Sequence, residues 1–296
     1  APLPGLGLLL VLAGTLLLGA ALREHRRLRS GAGAPESSGP PLPESGPYWF
    51  IRHPLHAGCQ LVLLGAAVLL RSPAGLAAAG PLALLLWTAS ALLLEERALL
   101  RRFPKAYARY RANTGLLWPS LYAWTITALL CYYRIFFGLR IRGTERIPRS
   151  GPFFLIGLHR TYMDPFLHCL GVPRKVHYLA TSVLFRYVPF ALFFTKLGCI
   201  PLVRSRPDLR SLSAAFKILD AGGVVGLFPE GGRSWYGETA CDPAVFKLLD
   251  RRRVPIVTAE LIGGFEYYPR YARRVQRRPL RLEYRLHPAG RLPAQY

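Results

Sequence analysis

Acidic side chains are scarce in this chain. Its 296 residues include 39 lysines and arginines but only 16 aspartates and glutamates, which gives a formal net charge of +23 at pH 7. Cysteine is scarce as well, and the five cysteines have neither metal-ligand spacing nor a disulfide pattern, so we expect a reducing, cytoplasmic environment and no metal site. Internal repeats and long low-complexity tracts are absent, which excludes a repeat architecture. The length leaves room for two domains with separate cores.

The positive charge is not accompanied by any nucleic-acid-binding motif. The arginines instead flank long apolar segments. Arginines next to a membrane gain about 1 kcal/mol each near anionic lipid. We therefore expect membrane lipids to be the partner of this chain, and we expect no nucleic acid.

Three apolar segments lie in the first half of the chain. Residues 6–22 and 72–94 are long enough to cross a bilayer, whereas residues 55–70 suit a tilted span or half of a hairpin. A cleaved signal peptide is the alternative for the first segment, but its basic cluster follows the apolar run instead of preceding it. Arginines also follow the third segment, so the positive-inside rule places both clusters in the cytoplasm. Residues 1–118 are thus predicted to form an all-α transmembrane bundle in the cell membrane.

The second half has the pattern of an α/β layer fold. Residues 121–139 are aromatic-rich and predict a helix that lies in or dips into the bilayer, at the start of a domain formed by residues 119–296. Buried or half-buried strands are predicted at 153–156, 222–228, 254–257 and 280–286, and an amphipathic helix at 211–221. We expect the remaining histidines to be surface or core residues, not ligands: His25, His168, His177 and His287.

Two short motifs in this half carry the chemistry. Residues 157–164 read GLHRTYMD and residues 228–234 read FPEGGRS. Together they resemble the active-site blocks of the glycerolipid acyltransferase family, which acylates lysophosphatidic acid. That family has Asn-His-x-Ser-x-x-Asp and Phe-Pro-Glu-Gly-Thr-Arg-Ser, so this chain departs from it at Leu158, Thr161 and Gly232.

A histidine and a carboxylate at this spacing suit acyl transfer to an alcohol. The reaction needs a base that takes the hydroxyl proton, and the pKa of histidine lies near working pH. A carboxylate on the other ring nitrogen fixes the tautomer and stabilises the imidazolium. The resemblance implies that His159 is this base and Asp164 its partner. It also implies that the acceptor's own hydroxyl attacks, without a covalent enzyme intermediate.

The second motif suits an anionic head group, because a strand that ends in Pro-Glu-Gly-Gly-Arg presents backbone N–H groups and a guanidinium. The resemblance adds Arg204, in the family's intermediate block, as a second phosphate ligand. Glu230 is expected to organise the turn. The last block departs from the family at Glu260, which has no predicted role. The predicted substrate-binding residues are Arg204, Phe228, Pro229, Glu230, Gly231, Gly232 and Arg233.

The first half resembles a different family. Residues 46–58 read GPYWFIRHPLHAG, and a Glu-Glu pair follows at 95–96. These motifs resemble the membrane methyltransferases of the isoprenylcysteine carboxyl and phospholipid type, with His56 where that family has tyrosine. The resemblance implies that S-adenosylmethionine binds at the membrane face, and the expected ligands are Arg52, His53, Glu95 and Glu96. An alternative for the two glutamates is that they form a charged cap where a helix leaves the membrane. An alternative for the whole domain is that it serves only as a membrane anchor.

The whole sequence predicts a multi-domain membrane protein with an acyltransferase domain on the cytoplasmic face. The expected donor is acyl-CoA or acyl-carrier protein, and the expected acceptor is an anionic lysophospholipid. Two alternatives stay open: a bifunctional acyltransferase and methyltransferase, and a non-catalytic lipid-binding scaffold. The absence of an initiator methionine suggests a trimmed or partial chain.

Overall fold

The computed structural model describes residues 3–29, 44–203, 208–233, 245, 249, 252–269 and 271–288. The chain divides into two compact units, residues 1–120 and residues 121–296. That each unit is an independent domain stays a prediction of the sequence.

The first unit is helical. Prolines occupy the first residue of three helices, at Pro47, Pro54 and Pro104, where a backbone N–H would have no acceptor within the helix. Residues Gly75–Arg102 form one continuous helix that contains two π-helical turns, Gly75–Ala79 and Ala91–Glu95. The helices are α1 (Leu3–Arg29), α2 (Pro47–Phe50), α3 (Pro54–Leu69), α4 (Gly80–Ser90), α5 (Glu96–Arg102) and α6 (Pro104–Asn113).

Among the described residues of this unit, two helices are long and apolar enough to cross a bilayer. They are Pro4–Arg27 within α1 and Gly75–Arg102, with mean hydropathy of 2.3 and 1.8 in their most apolar stretches. Helix α3 has 16 residues and is shorter, as the sequence predicts. The chain reverses between α3 and the next helix at Arg71, whose φ is 50°. The multi-pass topology and its orientation stay predictions, because length and composition alone support only membrane association.

Helices α1 and α3 approach each other backbone to backbone. A Cβ on Gly14 would lie 2.7 Å from the carbonyl oxygen of Gly58, and a Cβ on Gly65 would lie 2.7 Å from that of Gly7. The two glycines of each helix are seven residues apart and so lie on one face, and their pairing makes the helices antiparallel. Small residues at a helix interface permit this close packing, which is how helices associate in lipid.

The second unit is built on a seven-stranded mixed sheet of order β1-β7-β6-β2-β5-β3-β4. Strands β6, β2, β5, β3 and β4 are parallel, whereas β7 is antiparallel to β6 and parallel to β1. The strands are β1 (Arg140–Arg142), β2 (Phe153–Gly157), β3 (Val176–Thr181), β4 (Ile200–Leu202), β5 (Val224–Leu227), β6 (Ile256–Ile262) and β7 (Arg281–His287). The helices are α7 (Leu121–Phe137), α8 (Asp164–Leu167), α9 (Val188–Leu197), α10 (Leu209–Asp220) and α11 (Gly264–Tyr267).

The α/β prediction for this half is therefore confirmed. Its core lies between the sheet and α10, where Ala215 and Leu219 pack against Phe154, Val225 and Ile256. Asp208 caps α10, because its carboxylate accepts from two backbone N–H groups of the first turn. The predicted helix at 121–139 corresponds to α7, and its contact with a bilayer stays a prediction.

Candidate active site

Strand β2 carries the first motif to the edge of the sheet. It lies between β5 and β6, parallel to both, and all five of its residues are buried. Ligands of open α/β sheets bind at the carboxyl ends of the strands. His159 follows the end of β2 by two residues, so the fold places it at such an edge.

His159 and Asp164 form a hydrogen-bonded pair. The distance between His159 Nδ1 and Asp164 Oδ2 is 3.1 Å, and the aspartate is 1% exposed. The same carboxylate accepts from the backbone N–H groups of Arg160 and Thr161, both at 2.6 Å, and from the Thr161 hydroxyl at 2.9 Å. Because the carboxylate is fixed by these donors, it holds the imidazole with Nδ1–H towards it, and Nε2 is left to act as the base.

One hydrogen bond joins the two motifs. Glu230 Oε1 accepts from the backbone N–H of His159 at 2.9 Å. The glutamate lies in a tight turn in which Gly231 N–H donates to the carbonyl of Phe228, and Gly231 has a φ of 63°. Burial raises the pKa of the Glu230 carboxyl, while the His159 N–H lowers it. Glu230 thus fixes the backbone that carries His159. Its expected role in organising its own turn and the arginines stays a prediction.

Stacked rings hold the histidine side chain. The Phe228 ring lies 4.3 Å from the His159 ring at an interplanar angle of 19°, and 5.1 Å from the Tyr178 ring at 17°. These contacts restrict rotation of the imidazole out of the plane that faces Asp164. The sequence motif identifies Phe228, but Tyr178 lies on β3, and nothing in the local sequence marks it.

A second histidine is buried beside this pair. His168 is fully buried, and burial lowers its pKa to about 4, so it is neutral at working pH. A Cβ on Gly157 would lie 2.2 Å from His168 Cε1, so only glycine fits at the end of β2. The structure therefore places His168 in the core next to the candidate base.

Arg233 stacks on an aromatic ring of the first motif. Its guanidinium carbon lies 3.3 Å from the centroid of the Tyr162 ring, which is a close cation–π contact. Tyr162 is a site residue that the sequence reasoning missed, although its position within residues 157–164 was a usable signal. The other predicted phosphate ligand, Arg204, lies outside the described residues.

Two departures from the acyltransferase pattern line the same cleft. Leu158 and Glu260 border a small cleft beside Asp164. Glu260 lies on β6, the neighbour of β2, and is 3.8 Å from Arg285. The lining residues of the cleft are Leu158, Arg160, Asp164, Glu260, Leu261 and Gly264.

The four predicted cofactor ligands of the first unit also come together. Arg52 Nη1 lies 2.5 Å from Glu96 Oε1, and His53 Nδ1 lies 3.0 Å from Glu95 Oε2. His56 joins this cluster, with Nε2 3.3 Å from Glu95 Oε1. The cluster lies where the start of α3 meets the π-helical turn Ala91–Glu95.

Comparison with known proteins finds similarity to acyltransferases in the second half. Residues 138–260 match the family model described as Acyltransferase. The 1-acyl-sn-glycerol-3-phosphate acyltransferase of Bacillus subtilis (strain 168) is 27% identical over 115 residues, which are 38% of this chain and 58% of that protein. The enzyme of the same description from Borreliella burgdorferi is 32% identical over 106 residues, which are 33% and 40% of the two chains. The chain thus spans about half the length of the curated relatives it matches.

Among solved structures, the 1-acyl-sn-glycerophosphate acyltransferase of Thermotoga maritima superposes with a TM-score of 0.48 and 20% sequence identity, over 64% of this chain and 73% of that one. The family match confirms the resemblance of the second half to acyltransferases within residues 138–260. The resemblance of residues 1–118 to membrane methyltransferases stays a prediction.

Proposed function

We propose that this protein is a membrane-bound acyltransferase that moves a fatty acyl group from a thioester donor to the hydroxyl of a lysophospholipid of the lysophosphatidic acid type. The observation that carries the proposal is the His159–Asp164 pair, with a contact of 3.1 Å at the carboxyl end of a central parallel strand. The match to the Acyltransferase model and the names of the two relatives support the reaction and the acceptor.

The proposed reaction uses one base and no covalent enzyme intermediate. His159 Nε2 takes the proton of the acceptor hydroxyl while the oxygen attacks the thioester carbonyl. The carbon–sulfur bond breaks as the ester forms, and the imidazolium returns its proton to the departing thiolate. Asp164 stabilises the imidazolium, and its donors fix it in place.

The acceptor phosphate is proposed to bind at the second motif. Arg233 is proposed to supply positive charge beside the turn that includes Gly231 and Gly232, and Arg204 is proposed as a further ligand. Phe228, Pro229 and Glu230 shape this turn. Acyl-CoA or acyl-carrier protein is the proposed donor. The apolar helices of the first unit are proposed to hold the enzyme in the cell membrane, with the site on the cytoplasmic face.

The test supplies the purified full chain with labelled acyl-CoA, or labelled acyl-carrier protein, and lysophosphatidic acid. We expect labelled phosphatidic acid from wild type, and a rate lower by about 10²- to 10⁴-fold in His159→Ala, the usual contribution of a general base. Product formation by His159→Ala at the wild-type rate would overturn the mechanism. An absence of product with both donors, from protein that still binds anionic lipid vesicles, would favour the lipid-binding scaffold.

A second activity is proposed for the first unit, as a methyltransferase that binds S-adenosylmethionine. The observation that favours it is the clustering of Arg52, His53, Glu95 and Glu96. Titration of the purified chain with S-adenosylmethionine should then show saturable binding that Glu96→Gln weakens. A flat titration of folded wild type would reduce this unit to a membrane anchor.

A further inference from the structure

We propose that His53, His56 and Glu95 form a binding site for a divalent transition-metal ion, Zn²⁺ in the first place. The Glu95 carboxylate faces both histidines: its Oε2 is 3.0 Å from His53 Nδ1 and its Oε1 is 3.3 Å from His56 Nε2. One donor atom from each residue lies within 4.8 Å of the other two. No metal was expected from the sequence, because the cysteines lack metal-ligand spacing and His56 stood only as a departure from the methyltransferase motif.

Two of the separations between donors fit a bound ion, namely the 3.0 Å and 3.3 Å from the Glu95 oxygens to the histidine nitrogens. Two ligand atoms that are each about 2.1 Å from a metal are about 3.0 to 3.4 Å apart at octahedral or tetrahedral angles. Imidazole nitrogen with carboxylate oxygen is a donor set for Zn²⁺ and its transition-metal neighbours, whereas Ca²⁺ and Mg²⁺ prefer oxygen alone. Three protein ligands leave one coordination position for an outside molecule, as in catalytic zinc sites.

The local sequence explains why these donors converge. His53 is the residue that precedes α3, and His56 follows three positions later in its first turn, so both project from the same face of the helix start. Glu95 is the last residue of the π-helical turn Ala91–Glu95, and such turns are frequent at functional sites. The Glu95 side chain is 45% exposed, whereas those of His53 and His56 are 4% and 18% exposed. The cluster is therefore open on the side of the carboxylate, and an ion can enter there.

The neighbouring acid completes the arrangement. Glu96 is buried and ion-paired with Arg52 at 2.5 Å and Arg111 at 3.3 Å, and its Oε1 faces His53 Nε2 at 3.5 Å. A carboxylate behind a metal-binding histidine orients the ring and raises its basicity. The two arginines balance the charge of Glu96. Among the ion pairs of the described residues, Glu95 contacts only histidines, so its charge remains for a cation to neutralise.

The experiment titrates untagged full-length protein, stripped with a chelator and exchanged into fresh detergent, with Zn²⁺ by calorimetry and with Co²⁺ by visible absorption. We expect saturable binding of one ion at this site. His56→Phe and Glu95→Gln should each weaken that binding by about 100-fold or more, because even the outer partners of a metal ligand contribute 10- to 100-fold.

Matched controls separate this site from other histidines. His25→Gln changes a histidine of the same unit that packs on Tyr48 instead of joining the cluster, and His159→Ala removes the histidine–carboxylate pair of the second unit. Both should bind the ion as wild type does, whether or not the acyltransferase proposal holds. Circular dichroism and a single elution peak check the folding of each variant, and Glu95→Gln provides a nearly isosteric change if His56→Phe does not fold.

Two outcomes would overturn the metal proposal. In the first, folded wild type binds neither ion saturably. In the second, His56→Phe and Glu95→Gln bind with wild-type affinity, which would mean that any bound ion lies elsewhere and that the cluster is held by hydrogen bonds alone.

Discussion

The two units each place histidine against a carboxylate, and the two arrangements differ in what surrounds the acid. In the second unit, Asp164 is almost fully buried and is fixed by two backbone N–H groups and a hydroxyl, with one histidine in contact. In the first unit, Glu95 is half exposed, and two histidines share it.

The difference teaches how the same residue types serve different chemistry. A buried acid that is occupied by donors has little capacity left for an ion and suits the orientation of one imidazole, the role proposed for Asp164. An exposed acid that faces two imidazoles presents three convergent donors, which is the beginning of a chelate. The number of backbone donors on the carboxylate is therefore a better guide to the role of such a pair than the presence of histidine.

The largest effect is expected from a change that breaks the His159–Asp164 pair of the second unit. Asp164→Asn should lower the rate of acyl transfer by about 10³-fold, because the amide can donate to the imidazole and favours the wrong tautomer. The double variant with His159→Ala should be little slower than His159→Ala alone, since the two residues act as one unit. Rates of the two single variants and the double variant check this. Effects that multiply would mean that Asp164 acts independently of His159.

The next prediction concerns His168, for which the described residues show no ion pair with a carboxylate. Burial lowers the pKa of His168 to about 4, so the folded state stays neutral while the unfolded state takes up a proton below about 6.5. The free energy of unfolding therefore has its full value above pH 6.5 and decreases by about 3 kcal/mol as the pH drops to 4.

The measurement for His168 is the midpoint of chemical unfolding of the purified protein between pH 7 and pH 4. His168→Leu should lose part of the acid sensitivity, and the remainder should persist because burial also lowers the pKa of His177 to about 4. An unchanged pH profile in His168→Leu would contradict the assignment.

A smaller effect is expected at the phosphate end of the site. Arg233→Ala should raise the KM for lysophosphatidic acid by about 10- to 100-fold, the size of a lost hydrogen bond to a charged group. Arg233→Lys keeps the charge but loses the planar contact with Tyr162, so it should recover only part of the affinity. Steady-state kinetics with the phosphorylated acceptor and with a neutral monoacylglycerol check the prediction. An equal change of KM for both acceptors would show that Arg233 is structural.

The smallest effect is expected from a change at Glu260, one of the departures from the acyltransferase pattern. Glu260 brings a negative charge to the cleft beside Asp164, so Glu260→Gln should lower the KM for an anionic acceptor by about two- to fivefold, as expected for a partly exposed charge. Competition between phosphorylated and neutral acceptors in one assay measures this directly. A shift towards the neutral acceptor would contradict the electrostatic reading of the cleft.

Local patterns predicted much of the second unit. The run at 153–156 became β2, the run at 222–228 became β5, and the alternation at 280–286 became β7. The helix predicted at 211–221 is α10, shifted by one or two residues. These elements could be predicted because the apolar pattern of each segment by itself indicates its periodicity and which of its residues are buried.

Contacts between distant segments could not be predicted from the sequence in the same way. The antiparallel β6–β7 pair and the stacking of Tyr178 on Phe228 depend on which strands become neighbours, and no single segment encodes that choice. The same holds for the meeting of Glu95 with two histidines. The sequence identified Glu95 and His53 through a motif, but their separation depends on a π-helical turn that no residue pattern announced.

That turn makes the cluster of the first unit depend on how the helix is wound. A π turn holds one residue more than an α turn, so Ala91–Glu95 absorbs one extra residue within a long helix. If this turn were rewound as a regular α-helix with all its residues kept, every later side chain would rotate by about 100° relative to α4. Glu95 and Glu96 would then leave their partners together, although every residue of the cluster would still be present. In this unit the winding of the helix is as much a part of the cluster as the side chains are.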